Sequence, residues 1–324
     1  MSTPQSPIGS GFGAASTAAD VIKGIDLTGK TVVVTGGYSG IGIETARAFR
    51  SAGAQVIVPA RDLAKAKQAL AGMPDVIVEA MDLLDPASID HFADRVLSSS
   101  EKLHILVNNA GVMAAPLTRD ARSYESQFAA NHLGHFQLTC RLWPALVRAE
   151  GARVVALSSY GHRRAGVDFH DPNFERRAYD RWAAYGQSKT ANSLFAVALD
   201  SIGQRQNVRA FAVHPGGIAT PLVRHMLQAE IDASNIIDET GKPIIDPENN
   251  KKTPEQGAAT SVWCATSPQL NGMGGVYCAD CNIARALPGD DSPELHGVRP
   301  RATDQVAAGR LWQLSEQLTG ATID

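Results

Sequence analysis

The sequence predicts an α/β protein in which a mostly parallel sheet is covered by helices on both faces. Two observations carry that prediction. Short β-branched, apolar runs, each too brief for a helix, alternate with longer segments whose apolar residues recur at three- and four-residue spacings. The first such run, Lys30 to Thr35, also passes through a glycine-rich turn straight into a helical segment, which is how a parallel strand-helix-strand unit begins. No internal repeat is evident, and one domain over residues 25–285 is expected.

Composition sets the boundaries. The 324 residues are 44% hydrophobic and 19% charged, with a net charge of −3, so no global basic field invites nucleic acid or an anionic membrane. No apolar run approaches the roughly 18 residues of a membrane span. The start of the chain lacks a basic region followed by an apolar stretch, so a cytoplasmic protein is the expectation. Four cysteines, Cys140, Cys264, Cys278 and Cys281, need not pair in that compartment. Cys278 and Cys281 form a C-x-x-C without a second pair or a histidine at ligand spacing, so they read as packing thiols and no metal is expected.

Residues 1–24, rich in Gly, Ala, Ser, Thr and Pro, read as a flexible arm with a short helix between Ser16 and Gly24. Lys30–Thr35 is the first strand, and a helix over Ile43–Arg50 follows the turn Gly36-Gly37-Tyr38-Ser39-Gly40-Ile41-Gly42. Glycines there would let a diphosphate approach backbone N–H groups and the positive end of the helix dipole, although such a turn can equally be just a tight turn. The second strand, Gln55–Val58, ends in Pro59-Ala60-Arg61. An NAD site expects an acid here for the ribose hydroxyls. An arginine suits a 2′-phosphate, so NADP(H) is favoured and NAD(H) is the alternative, unless Arg61 is only a solvated charge. Asp62 reads as the N-cap of a helix over Leu63–Ala71.

A third strand, Asp75–Ala80, leads to Asp82 and Leu83, where the acid could meet an adenine amino group or cap the helix Pro86–Ser98. The fourth, His104–Val107, runs into Asn108-Asn109-Ala110-Gly111, amides and a glycine suited to the ligand crevice of an open sheet. Further strands are expected at Arg153–Leu157, Val208–Val213 and Gly275–Cys278, with helices near Tyr124–Arg148, Tyr185–Ile202 and Pro254–Thr266. Residues 160–184 and 219–253 are long loops and read as walls of a substrate site. The arginines of the first loop are either a solvated face or a feature that favours an anionic substrate. Arg301–Thr319 places Ala307, Leu311, Leu314 and Leu318 on one helical face that packs back on the domain within a C-terminal extension, residues 286–324.

In the helix that begins at Tyr185, Lys189 lies one turn on. A phenol loses its proton near pH 10 in water, and a neighbouring cation favours the phenolate, so the pair can transfer a proton near neutral pH. Taken alone it is equally a surface pair. Together with the glycine turn, Asn108–Gly111, Asn131 in Asn131-His132-Leu133-Gly134-His135, Ser159 at the end of Val154–Ser159, and Pro215, Gly216 and Thr220, it resembles the short-chain dehydrogenase/reductase family over residues 25–285. Details around Ser159–His162, the insertion before Tyr185 and Tyr277–Cys281 look most like the retinol dehydrogenase and WW-domain oxidoreductase branch, which neighbours the protochlorophyllide reductases.

The resemblance implies a Rossmann-type fold, a nicotinamide cofactor and interconversion of an alcohol with a ketone or aldehyde. Tyr185 would be the general acid/base and Lys189 would lower its pKa and bond the nicotinamide ribose. Ser159 would bond the substrate oxygen, and Asn131 would hold a relay water. Gly36, Ser39, Gly40, Ile41, Gly42, Arg61, Asp82, Leu83, Asn109 and Ala110 would line the cofactor. Pro215, Gly216, Ile218 and Thr220 would close over its nicotinamide and diphosphate. Ser158 and Ser159 point to opposite faces of a strand, and the family register selects Ser159. The substrate is expected to be a fairly apolar small molecule, and a homodimer through the Tyr185 helix is open, since the loop and terminal extensions could block it. Two alternatives stand beside this reading: C=C reduction of the protochlorophyllide reductase kind, and a catalytically silent NADP-binding regulator.

Overall fold

The computed structural model describes residues 3–323. Each expected run forms a strand: β1 Thr31–Val34, β2 Gln55–Ala60, β3 Ile77–Ala80, β4 Ile105–Asn108, β5 Arg153–Leu157, β6 Arg209–His214 and β7 Val276–Ala279. β1, β4, β5, β6 and β7 are buried along their whole length, and two-sided burial is why their sequences are continuous apolar runs without alternation. A short strand not legible in the sequence, β8 (Asn282–Ile283), turns back antiparallel on β7 through Asp280 and Cys281, both left-handed at φ 53° and 54°. The strand order is β3-β2-β1-β4-β5-β6-β7-β8, parallel from β3 to β7. The order therefore reverses between β1 and β4, and the crevice beyond their C-terminal ends is where an open sheet binds its ligand.

Ten α-helices lie in the described residues: α1 Ala18–Ile22, α2 Ile41–Ser51, α3 Leu63–Ala69, α4 Pro86–Ser99, α5 Ser126–Phe128, α6 Gly134–Arg148, α7 Arg181–Gly203, α8 Gln228–Ser234, α9 Pro254–Thr266 and α10 Gln305–Thr319. Caps fix several starts. Asp62 accepts from the Lys65 N–H at 3.0 Å, as its position after β2 predicts, and Asp85 accepts from the Ala87 N–H at 3.0 Å. Thr253 and Gln256 close a capping box on α9. Between α5 and α6, residues Ala129–Leu133 form a π turn, so the helix expected over Tyr124–Arg148 carries one widened turn, and Asn131 sits in it.

Two cores result. On one face of the sheet Phe92, Phe128, Phe136 and Leu194 pack under α4, α6, α7 and α10; on the other, Phe49, Phe211 and Trp263 pack under α1, α2 and α9. Cys264, Cys278 and Cys281 belong to the second core and Cys140 to the first, all four unpaired. Burial pushes the thiols of Cys140, Cys264 and Cys281 up, that of Cys281 to about 12, the inert state of packing thiols.

Three expectations change. The arm at the start of the chain does not hang free: the Gln5 amide donates to the Tyr277 and Ala284 carbonyls and accepts from the Tyr277 N–H, and Ile8 N–H bonds Asn282. Composition missed this because the arm is held by backbone groups of the sheet edge, whatever its own hydrophobicity. The inward face of α10 is rotated by about one residue from that expected. Ala308, Leu311, Trp312 and Ser315 are buried, with Ala307, Leu314 and Leu318 at the margin, because Trp312 docks on Phe136 and Phe195 at ring distances of 4.8 and 6.0 Å. That docking also closes the outer side of α7, so Ala184 through Asp200 are all buried within a single chain. Pairing two copies through that helix would require α10 to leave. Among the described residues no helix is long and apolar enough to cross a membrane.

Four buried histidines make the fold sensitive to acid. Burial holds His132 and His214 at about 3 and His135 and His162 at about 4, all below the ordinary value of about 6.5. The unfolded chain then binds more protons than the folded one between pH 6.5 and 4, so stability is intact above pH 6.5 and falls as the pH drops, by about 1.4 kcal/mol per pH unit for each histidine. Urea midpoints should therefore decline steeply between pH 6.5 and 4.5, with a shallower slope in His132→Gln. Midpoints that stay level across that interval would contradict the assignment.

Candidate active site

A cavity of about 700 Å³ lies along the C-terminal edge of the sheet. Its lining runs from Arg61 and Asp82 at the ends of β2 and β3, past the turn after β1, to Ser159 and Pro215 at the ends of β5 and β6. Of the site residues expected from the sequence, Gly36, Ser39, Gly40, Ile41, Arg61, Asp82, Leu83, Asn109, Ala110, Ser159, Tyr185, Lys189, Pro215, Gly216, Ile218 and Thr220 all line it. Gly42 and Asn131 stand behind the wall.

The glycine turn is built for close approach. Gly36 and Gly40 have φ of 65° and 54°, conformations that favour glycine, and a Cβ on Gly42 would run into the Gly36 carbonyl oxygen. Among the described residues the N–H groups of Gly40 and Ile41 at the start of α2 have no acceptor, and both residues line the cavity. Thr220 covers the turn, its Cβ 3.2 Å from where a Cβ on Gly40 would lie. The Pro215–Gly216 stretch is braced from behind by the stem of buried Lys252, whose ammonium pairs with Asp280.

A buried hydrogen-bond network joins the motifs. The Thr35 hydroxyl accepts from the N–H groups of Asn109 and Ala110 at 2.8 and 2.9 Å, and the Asn109 amide donates to the Thr35 carbonyl at 2.7 Å. His135 bridges Thr35 Oγ1 (2.9 Å) and the Asn131 carbonyl (3.0 Å), which a neutral ring does by donating through Nδ1 and accepting through Nε2. Asn131 accepts from the Val112 N–H at 2.8 Å and donates to the Val112 carbonyl and Ser188 Oγ, both at 2.9 Å. Its side chain is therefore a strut between the β4 loop and α7. Asn108 donates to Thr139 on α6, tying sheet to helix.

Tyr185, Lys189 and Ser159 converge. Lys189 Nζ lies 5.7 Å from the Tyr185 ring centroid and donates to the Leu157 carbonyl at 2.8 Å. Burial brings its pKa down to about 8. Burial also pushes the Tyr185 phenol up, and a hydrogen bond with Ser159 opposes that rise. Lys189 thus stands beside the phenol with its ammonium held by the Leu157 carbonyl. The Ser158 hydroxyl is engaged by α7, donating to the Lys189 carbonyl at 2.8 Å, whereas the Ser159 oxygen accepts from the Gly161 N–H at 3.0 Å.

Sequence reasoning missed Lys65, which lines the cavity beside Arg61 one helical turn on. It also missed Tyr160, stacked on His214 with ring centroids 3.7 Å apart, and Trp182. Trp182 was within reach, since it precedes Tyr185 by one turn on the same helix; Tyr160 depends on a loop conformation that no local pattern fixes.

Comparisons with known proteins agree with this geometry. A sequence model of the family described as short chain dehydrogenase matches residues 30–231. A "probable oxidoreductase" of Streptomyces lividans is 46% identical over 300 residues, 89% of this chain and 97% of that protein. Human retinol dehydrogenase 12 is 38% identical over 302 residues, 91% and 88% of the two chains, and human WW domain-containing oxidoreductase is 35% identical over 324 residues, 95% and 72%. The crystal structure of an uncharacterized protein from Mycobacterium paratuberculosis superimposes with a TM-score of 0.72 at 32% identity, covering 96% of this chain and 99% of that one. The chain belongs to the short chain dehydrogenase family, a family of oxidoreductases, and has its Rossmann-type fold.

Proposed function

We propose that the chain is a cytoplasmic NADP(H)-dependent oxidoreductase that interconverts an alcohol with a ketone or aldehyde on a largely apolar small molecule. The convergence of Ser159, Tyr185 and Lys189 on the cavity that also bares the glycine turn carries this reading. The names of the retinol dehydrogenase relatives support the choice of an alcohol and carbonyl pair.

The residues present fit the dinucleotide. The free N–H groups of Gly40 and Ile41, the absence of side chains at Gly36 and Gly40, and the dipole of α2 suit a diphosphate. Arg61 and Lys65 would hold a 2′-phosphate, Asp82 and Leu83 the adenine, and Asn109, Ala110, Pro215, Gly216, Ile218 and Thr220 the nicotinamide end. Bound there, the nicotinamide supplies or takes up a hydride.

The protein's own part is the proton. Tyr185 gives its phenolic proton to the substrate oxygen in reduction and takes it back in oxidation, while the Ser159 hydroxyl donates a hydrogen bond to that oxygen and stabilises the charge it develops. Lys189, held by Leu157, keeps a cation beside the phenol and would bond the nicotinamide ribose. Asn131 is a positioning residue, acting through Val112 and Ser188. A hydroxyl beside the phenol favours charge on oxygen over the carbon protonation of a C=C reductase.

Tyr185→Phe should lose at least about a hundredfold in kcat at saturating NADPH, the usual scale of a general acid, while NADPH still quenches tryptophan fluorescence with wild-type affinity. Wild-type kcat in the variant would remove Tyr185 from the reaction. Arg61→Ala should weaken NADPH by about 1–3 kcal/mol and leave NADH nearly unchanged, with Lys65→Ala adding to the loss. Equal weakening of both cofactors would refute the 2′-phosphate assignment.

A further inference from the structure

The loop between β5 and α7 and the first turn of α7 carry five arginines. Four are engaged. Arg163 donates to the carbonyls of Glu294 and Gly297 at 3.1 and 3.0 Å and lies over the Tyr160 ring. Arg176 donates to the His170 carbonyl at 3.1 Å, Arg177 donates to Gln187 at 2.9 Å and faces Asp168 and Asp171, and Arg181 pairs with Glu230 at 2.7 Å.

Arg164 differs from all of them. Its guanidinium has no carboxylate and no hydrogen-bond acceptor among the described residues, and it lines the cavity together with Trp182 and Tyr185. It is solvent-exposed, yet packed against a ring. Its guanidinium carbon lies 4.7 Å from the Trp182 ring centroid, and the Trp182 ring in turn stands edge-on to Tyr185 at 6.2 Å. Stacking on the indole fixes the cation one ring beyond the proposed acid/base. Nothing nearby competes for it: Glu230, the acid closest to the indole, already accepts from Arg181 and from Trp182 Nε1, and the sole carboxylate in the cavity lining is Asp82 at the far, β3 end. Met113, Leu222, Val223, Met226 and Ile236 give the lining an apolar share, alongside Arg224, Ser234 and Asn250.

We propose that Arg164, held against Trp182, binds an anionic group, a carboxylate, at the end of an otherwise apolar substrate remote from the reacting carbon. This rests on the oxidoreductase reading only for which end reacts. A guanidinium offers a carboxylate two parallel N–H donors, and an indole stack leaves its edge free to do so. The subsite therefore selects amphipathic carbonyl acids or hydroxy acids over neutral molecules of the same length.

Binding of unreactive probes tests this apart from turnover. Calorimetric titration with octanoate and with octanamide should show the wild-type protein binding the acid at least about tenfold more tightly, the ratio shrinking as salt is raised. Arg164→Gln should bring the two probes to near equality, and Arg164→Lys should retain part of the preference. Octanoate bound no better than octanamide by the wild type, whether both bind or neither does, would overturn the proposal, as would a preference that survives in Arg164→Gln. Because neither probe reacts, failure of carbonyl turnover leaves this result readable, and failure here leaves the oxidoreductase reading standing.

Discussion

The structure depends on how one buried ammonium is held. Lys189 is enclosed by protein, and a cation there is costly unless polar groups take over from water. The Leu157 carbonyl at the end of β5 does so, and the same oxygen also accepts from the Asn192 amide one turn further along α7, at 2.8 Å. Ser158 returns a bond from β5 to the Lys189 carbonyl, and Ser193 donates to Ser158 at 2.8 Å. The strand end and the helix are thereby stitched at one level, and that level sets Ser159 beside Tyr185. In the proposed reaction, such fixed polar groups limit the reorganisation needed when charge moves between phenol and substrate oxygen.

A second set of buried bonds holds the other half of the crevice. Thr35, His135 and Asn131 link the end of β1, the loop after β4 and the π turn, and neutral His135 is the hinge of that set. The widened turn turns Asn131 toward Val112 and Ser188, so the wall behind the nicotinamide end is tied directly to the helix that carries Tyr185. His132 in the same turn lies 2.7 Å from Ser315 of α10, so the C-terminal helix braces the site from outside. The buried histidines that make the fold acid-labile are thus among the groups that assemble the cavity.

Much of this was legible in the sequence because it rests on local chemistry. The β-branched runs could only be buried strands, Asp62 announced a helix start, and the order of Gly36–Gly42, Asn109 and Ser159, followed by the helix of Tyr185 and Lys189, matched the strand ends and helices of a parallel sheet. What escaped depends on contacts distant in sequence. The anchoring of Gln5 on β7, the rotation of α10 toward Phe136 and Phe195, and the engagement of Asn131 by Val112 are set by partners that no periodicity reveals. Lys65 and Arg164 were visible only as charges. It took the fold to separate them from the arginines that have structural partners.

In the proposed reaction Lys189 and Tyr185 hold and deliver one proton as a unit. The pH dependence of kcat/KM for ketone reduction at saturating NADPH reads that unit directly. Burial places Lys189 at about 8, so the proton available to the substrate should be lost as pH rises through that value, and reduction should fall above it. In Lys189→Met the break should move up toward the range of the buried phenol, above about 10. A wild-type profile that stays flat to pH 10, or a break that Lys189→Met leaves in place, would contradict the claim.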